Sequence, residues 1–254
     1  MTDPLAGLVA IVTGAGSGLG AATAQVLARR GVRVMIDGRR EARLAETVAA
    51  VRATGGDIHA LAGDVSQAAH VEALVAATVE RYGGIDIVVN NAALRSRYLP
   101  VHEIAPELFS QYLAVNLLGP FMLMRAAIPH LLARGGGSVI NVGSTTSTTG
   151  LKYTAAYSAS KGGLLMLTRT AALDYADRGI RINCICPAGM TPTDTPDWTP
   201  LERERVLEAV GWGSPMGAPA TTLQVAELIA FLANPASGPI TGACIPIDGG
   251  WTAR

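Results

Sequence analysis

Seven short runs of this 254-residue chain are apolar at nearly every position: Leu8 to Val12, Val32 to Ile36, Ile58 to Leu61, Ile85 to Val89, Ser138 to Val142, Ile180 to Ile185 and Ala243 to Ile247. A strand with one wet face alternates apolar and polar residues, so an unbroken apolar run is the pattern of a strand covered on both faces. Helical periodicity lies between the runs. It is clearest at Val71, Leu74, Val75, Val79 and Tyr82, whose spacing makes one stripe, and weaker at Leu44, Val48 and Val51. Strand and helix in alternation predict right-handed crossovers in a parallel sheet. The expected architecture is α/β and doubly wound, about seven strands with helices on both faces, its ligands at the carboxyl ends of the strands.

Composition supports one core. The chain is 49% hydrophobic, with no Pro/Ser linker and no shift of composition to divide it, so residues 1–254 are expected to form a single domain. The one long irregular region, Ala188 to Ala220, is rich in Pro, Thr and Gly and holds a helical candidate from Pro200 to Val210. A loop of that length in a compact domain, following the sixth strand, reads as a substrate lid.

Lys+Arg and Asp+Glu balance at 20 each with no block of either sign, which points away from nucleic acid and membrane and toward a small-molecule partner. Cys184, Cys186 and Cys244 form no C-x-x-C pair and no His-flanked cluster, so neither a disulfide framework nor a metal is expected. The opening MTDPLAGLVAIVTG has no basic leader, and its apolar run is too short for a signal peptide or a span. A cytoplasmic protein is the expectation.

The first apolar run leads into TGAGSGLG, Thr13 to Gly20, and then a helical stretch. Glycines where a strand becomes a helix allow the backbone to approach a bulky anion, with the helix's free N–H groups and positive dipole end aimed at a pyrophosphate. The plain alternative is a structural turn.

A second constellation is Ser144, Tyr157 and Lys161. Tyr157 and Lys161 stand four apart in YSASK and share a helix face. A neighbouring ammonium favours the phenolate and brings proton exchange toward neutral pH. Ser144 follows the run Ser138 to Val142, which puts its hydroxyl at the same sheet edge as the glycine turn. Alone, Tyr-x-x-x-Lys is a common surface pattern; its value lies in the company of the other two.

Taken together, TGAGSGLG, Asp64-Val65, Asn90-Asn91-Ala92-Ala93, Asn116 in VNLLG, Ser144, YSASK, Cys186-Pro187 and Ile247-Asp248-Gly249-Gly250 resemble the classical short-chain dehydrogenases/reductases from Thr13 to about Gly250. The resemblance implies a Rossmann-like fold and a nicotinamide-dependent enzyme that interconverts a secondary alcohol and a ketone. In this reading Tyr157 is the general acid/base, Lys161 depresses its pKa and bonds the nicotinamide ribose, Ser144 holds the substrate oxygen, and Asn116 supports a water that links Lys161 to solvent. The hydride is the cofactor's chemistry.

The same resemblance implies the cofactor's bed: Gly14, Ser17, Gly18, Leu19 and Gly20 in the turn, Asp64 and Val65 at the adenine, Asn91 and Ala92 at the adenine ribose, and Pro187 with Thr191 near the carboxamide. Thr193 is the alternative to Thr191. Asp64 could equally be a helix cap, and Asn90-Asn91 turn chemistry. In VMIDGRR the acid that would bond both ribose hydroxyls falls at Gly38, with Arg39 beside it, which resembles NADP-preferring members. Asp37 sits one place early; a loop shifted by one residue would bring it to the ribose and select NAD. Two departures are Ala93 and Ala188, where the family commonly has glycine.

Leu94, Lys152, Tyr153, Met190, Trp198 and Trp212 are candidates to line a substrate pocket, for a 3-oxoacyl, hydroxy acid, sugar or related carbonyl compound. Arg95, Arg97 and Lys152 suggest an anionic group or else a solvated surface. Relatives commonly form tetramers, so a homotetramer is expected. Two other readings remain: a catalytically silent dinucleotide-binding sensor or scaffold, against which the four residues Asn116, Ser144, Tyr157 and Lys161 argue, and an epimerase or dehydratase of a longer family, for which the chain is short.

Overall fold

The computed structural model describes residues 3–191, 199–210 and 213–253. Its frame is a sheet of seven parallel strands: β1 (Val9–Val12), β2 (Arg33–Gly38), β3 (Ile58–Ala62), β4 (Ile87–Asn90), β5 (Gly137–Val142), β6 (Ile180–Pro187) and, at one edge, β9 (Cys244–Ile247). Their spatial order is β3-β2-β1-β4-β5-β6-β9. Between them run α1 (Gly18–Arg29), α2 (Glu41–Arg52), α3 (Ala68–Tyr82), α4 (Pro106–Leu113), α5 (Gly119–Ala133), α6 (Ala155–Tyr175), α7 (Pro200–Val210) and α8 (Thr222–Ala233). Two-residue strands, β7 (Met190–Thr191) and β8 (Ala220–Thr221), pair with each other outside the main sheet.

Side chains leave a strand on alternate faces, and here both faces are apolar. Ala10 and Val12 enter a core with α1, α2 and α8, while Val9 and Ile11 enter another with α3, α5 and α6. This is why the strand sequences do not alternate. The order reverses between β1 and β4, and the glycine turn leaves β1 at that switch point.

Strands β2 and β4 continue past their apolar runs through a residue that is buried and polar. Asp37 is 0% exposed in β2, and Asn90 of β4 donates from Nδ2 to Asn141 Oδ1 at 2.8 Å. At the other end of the fourth strand, Asp86 stands outside the ladder of β4, its carboxylate taking the Val9 N–H at 2.9 Å and pairing with Arg134.

The helical run Pro106–Ala133 is long and apolar enough to cross a membrane, but it packs Leu123, Met124, Ala127, Ile128 and Leu131 into the core. It is interrupted by a π-helical turn, Ala114–Leu118. Such turns widen a helix where a side chain must be re-aimed, and the buried residue at its centre is Asn116.

Candidate active site

The glycines of the turn answer to different demands. Gly14 has φ +65°, and a Cβ there would lie 2.7 Å from Ala92 Cα; a side chain at Gly20 would run into Gly14 O and Asn91 Nδ2. Both are required by the protein's own packing. Gly18 has φ +54° with nothing within 4 Å of where its Cβ would be, so only here does the backbone face open space.

The turn is shaped by bonds within the chain. Thr13 Oγ1 accepts from the N–H groups of Asn91 and Ala92, each at 3.0 Å, and Asn91 Nδ2 donates to Thr13 O at 2.8 Å and Gly14 O at 3.2 Å. Asn91, expected at the adenine ribose, thus has its amide nitrogen engaged in holding the turn. From the other side Ala15 N–H donates to Asp37 O at 2.9 Å, and Thr47 Oγ1 to Ala15 O at 2.9 Å.

These residues fit a dinucleotide. The open space over Gly18 lies at the N-terminus of α1, where the first-turn N–H groups, Gly18, Leu19 and Gly20 among them, lack acceptors within the helix. Ser17 is the N-cap, but its hydroxyl makes no capping bond and takes one from Arg40 Nη2 at 3.3 Å instead. No acidic side chain stands in that turn, and the helix dipole adds positive potential. Leu19's side chain is buried in the core, leaving its backbone to the turn.

The expectation that Asp37 reaches a ribose is corrected. Its carboxylate is fully buried beneath the turn, Oδ1 accepting from Gly14 N–H at 3.2 Å and Oδ2 from His70 Nε2 at 2.8 Å. Exposed at the end of β2 are Arg39 and Arg40. Arg40 was not singled out from the sequence, though its doublet with Arg39 carries the signal.

Asp64 is half-buried and Val65 buried at the amino end of α3. Asp64 Oδ1 accepts from Ser66 N–H at 2.9 Å and Ser66 Oγ at 2.8 Å, a local turn ahead of the helix; the N-cap of α3 is Gln67, so Asp64 is not the helix cap that the sequence offered as its alternative role. Burial pushes its carboxyl up, yet the two Ser66 bonds with Arg39 and His70 nearby outweigh burial and hold it below the usual range.

Ser144, Tyr157, Lys161 and Asn116 converge at the carboxyl edge of β4 and β5. Ser144 is 8% exposed and opens a short 3-10 turn, its Oγ accepting from Thr146 N–H at 3.2 Å while its N–H donates to Ser147 Oγ at 3.1 Å. That box fixes the hydroxyl at the strand end. Lys161 is 2% exposed on α6; its Nζ donates to Val142 O at 2.7 Å and lies 5.8 Å from the Tyr157 ring centroid.

Asn116 Oδ1 accepts from Leu94 N–H at 2.7 Å, and its Nδ2 donates to Leu94 O at 3.1 Å and Ser160 Oγ at 3.1 Å. It therefore ties the segment after β4 to the residue preceding Lys161. Sequence reasoning missed Ser160 and Tyr112, whose hydroxyl donates to Arg95 O at 2.8 Å and accepts from Arg97 N–H at 3.0 Å.

The electrostatics differ from the simple expectation. Burial pushes the Tyr157 phenol up to about 12, and neighbouring Tyr98 and Tyr112 push the same way, against a hydrogen bond from Ser144 and the charge of Arg95. Burial lowers the Lys161 ammonium to about 8. With its Nζ turned to Val142 O, Lys161 is not what sets the phenol's acidity in this geometry; Ser144 and Arg95 are the groups that favour phenolate.

Helix α7 is latched over this site by ion pairs. Arg97 Nε meets Glu202 Oε1 at 2.6 Å, Arg205 makes two bonds to Glu103 at 2.7 and 3.0 Å, and Glu208 receives Lys152 Nζ at 2.6 Å and Tyr153 Oη at 2.7 Å. Two of the three cations suggested for an anionic group are thereby bonded to α7. Tyr98 (φ 52°) and Tyr153 (φ 65°) are the non-glycine residues at positive φ among those described, and both line the narrow gap beside Tyr157. Backbone strain of this kind costs about 1–3 kcal/mol per residue and gathers at functional sites. A larger cavity, about 460 Å³, lies between α4 and α7, with Leu94, Leu99, Leu108 and Leu201 in its walls. Pro187 is buried at the end of β6 and Thr191 is exposed in β7; Thr193, Trp198 and Trp212 lie outside the described residues.

Comparison with known proteins agrees with this geometry. Residues 14–252 match the family profile described as enoyl-(acyl carrier protein) reductase. The chain is 38% identical to 2-(R)-hydroxypropyl-CoM dehydrogenase of Xanthobacter autotrophicus over 96% of this chain and 98% of the relative. It is 36% identical to cis-4-hydroxycyclohexanecarboxylate dehydrogenase of Sinomonas cyclohexanicum, covering 100% of both. The fold matches that of NAD+-bound xylitol dehydrogenase with a TM-score of 0.88 and 29% identity, over 97% of this chain and 99% of that one. The chain belongs to the short-chain dehydrogenase/reductase family and is an NAD(P)-dependent oxidoreductase that interconverts a secondary alcohol and a ketone.

Proposed function

We propose that Tyr157 is the proton-transfer residue of this oxidoreductase, and that NADP is its preferred cofactor. The observation that carries the first part is the convergence of Ser144, Tyr157, Lys161 and Asn116 at one sheet edge, adjoining a glycine turn preformed for a dinucleotide. When bound, the nicotinamide supplies or accepts the hydride. The rest falls to side chains of this chain. Tyr157 Oη gives its proton to a carbonyl oxygen in reduction or takes one from a hydroxyl in oxidation, and Ser144 Oγ orients that oxygen. Lys161, with Asn116 behind it through Ser160, carries the proton's connection to solvent. The gap beside Tyr157 is narrow, so α7 moves for substrate to enter; α7 supports the reading of 188–220 as a lid on a single domain, with 192–198 and 211–212 outside the described residues.

Arg39, and Arg40 reaching across to Ser17, support NADP: they put two guanidinium groups at the ribose end of the turn, where a guanidinium matches a phosphate in both charge and geometry. With Asp37 buried, no carboxylate of β2 is available to oppose a 2′-phosphate. Apolar side chains exposed on α4, α5, α6 and α8, Phe109, Phe121, Met166, Leu173 and Phe231 among them, support a homotetramer.

The test is a panel of secondary alcohols and ketones with each cofactor, following reduced-nicotinamide absorbance. Expected are turnover with a lower KM for NADP than for NAD, a loss of roughly a hundredfold or more in Tyr157→Phe, and reversal of the cofactor preference in Gly38→Asp/Arg39→Ala. Unchanged turnover in Tyr157→Phe overturns the mechanism, and a lower KM for NAD in the wild type overturns the cofactor assignment.

A further inference from the structure

One buried histidine–aspartate pair is used by no step above. Asp37 is 0% exposed and His70 nearly buried, at 12% of its side chain, and they meet at 2.8 Å. A carboxylate only accepts, so His70 Nε2 donates to Asp37 Oδ2, and the other oxygen is left for Gly14 N–H at 3.2 Å. The pair spans three elements. Asp37 is the penultimate residue of β2, Gly14 lies in the dinucleotide turn, and His70 stands in the first turn of α3.

The imidazole is seated by sequence. A Cβ at Gly63 would fall on the His70 ring, so the glycine before Asp64 makes the space that the ring fills. Gly63 N–H also donates to Gly38 O at 3.0 Å, closing the loop from the end of β3 back to β2. The other charges facing the pair are Asp64, which bears on Asp37, and Arg39, which bears on Asp64. Asp37 thus holds the turn twice, by its backbone carbonyl at Ala15 and by its carboxylate at Gly14, and only the second hold depends on a partner.

We propose that His70, acting through Asp37, is a positioning residue for the cofactor site: it aims the Asp37 carboxylate at Gly14 N–H and so fixes the glycine turn in its binding geometry. This rests on the reading that the dinucleotide binds at that turn. His70 touches no reacting atom, and the turn is common to both cofactors. Its loss therefore weakens NADP and NAD by the same factor, whereas a residue that reads the 2′-phosphate would discriminate between them.

The test compares His70→Ala with His70→Gln, whose side-chain amide retains a donor toward Asp37. Cofactor-free protein is followed by hydrogen–deuterium exchange, and the Kd of NADP and of NAD by calorimetry. In His70→Ala, peptides covering 13–20 are expected to exchange faster while β5 (137–142) is unchanged. Both Kd values should rise by roughly tenfold, the weight of one lost charge-assisted hydrogen bond, with kcat at saturating cofactor within about twofold of wild type. His70→Gln should recover most of both effects, and it keeps the test decisive should the alanine variant fail to fold.

Unchanged exchange at 13–20 and unchanged Kd values, with only a lower melting temperature, overturn the proposal in favour of a purely structural pair. Weakening of NADP alone overturns it in favour of direct phosphate reading. Wild-type protein that binds neither cofactor overturns the underlying reading of the site instead.

Discussion

Lys161 donates its ammonium to the carbonyl of Val142 at 2.7 Å, with the ring of Tyr157 5.8 Å away. The lysine is anchored to the strand end that also positions Ser144, and it is held there at a cost. Its folded-state pKa, lowered by burial to about 8 from 10.5, means that an unfolded lysine keeps its proton over an interval in which the folded one has lost it. Stability therefore rises as pH increases from about 8 toward 10.5. Lys161→Met is expected to abolish turnover while leaving the melting temperature at pH 7 equal or higher, with that advantage shrinking at pH 9.5. Melting scans at the two pH values check this; a fall of several degrees at pH 7 refutes it.

The Tyr157 phenol, raised to about 12 by burial, is fully protonated at neutral pH in the cofactor-free enzyme. Reduction, which needs the proton, is expected to be flat in kcat/KM near pH 7. Oxidation needs the phenolate and should climb by about tenfold per pH unit on the acid side of that pKa. Arg95 favours the phenolate, so Arg95→Ala moves the oxidation profile to higher pH. A profile that stays in place or moves to lower pH contradicts the assigned charge environment.

The turn glycines should separate folding from binding. Gly14→Ala combines a left-handed backbone with a contact 2.7 Å from Ala92 Cα, and a loss of about 2–4 kcal/mol is expected. Gly18→Ala meets open space at φ +54°; it should lose only about 1–2 kcal/mol while raising cofactor KM by roughly tenfold or more. Urea titrations together with cofactor kinetics distinguish the two. Equal stability losses would show that Gly18 is structural as well.

The latch of α7 makes its position salt-dependent. Arg205 bonds Glu103 through both terminal nitrogens, stacks over the Tyr153 ring at 5.5 Å, and lies 3.5 Å from Tyr98 O. Raising ionic strength screens such exposed pairs, so wild-type substrate KM is expected to change by about threefold between low and high salt. Arg205→Ala should carry the high-salt KM at all concentrations. A salt response preserved in the variant would assign it elsewhere.

Much of the frame was legible because the sheet is covered on both faces, which writes each strand as an apolar run, and the seven strands stand where those runs are. Their ends were not legible where buried polar groups continue a strand: Asp37 and Asn90 look like loop residues until His70 and Asn141 are brought beside them. The candidate quartet Asn116, Ser144, Tyr157 and Lys161 could be named from its motifs, but the direction of Lys161 could not, since Val142 O is a backbone atom that no side-chain pattern records. Nor could the sequence pair Arg97 with Glu202 or Lys152 with Glu208 across more than fifty residues. Those cations read as solvated surface or as open to an anion until α7 was laid over them.

The bonds that shape the glycine turn run to Thr13, Asn91, Asp37 and Thr47, all supplied by the folded chain itself. Its receptor shape is thus prepaid during folding, and a dinucleotide arriving there meets a rigid mould with little local ordering left to do. Calorimetric titration should accordingly show a smaller entropic penalty for the wild type than for a variant in which one of these bonds is removed.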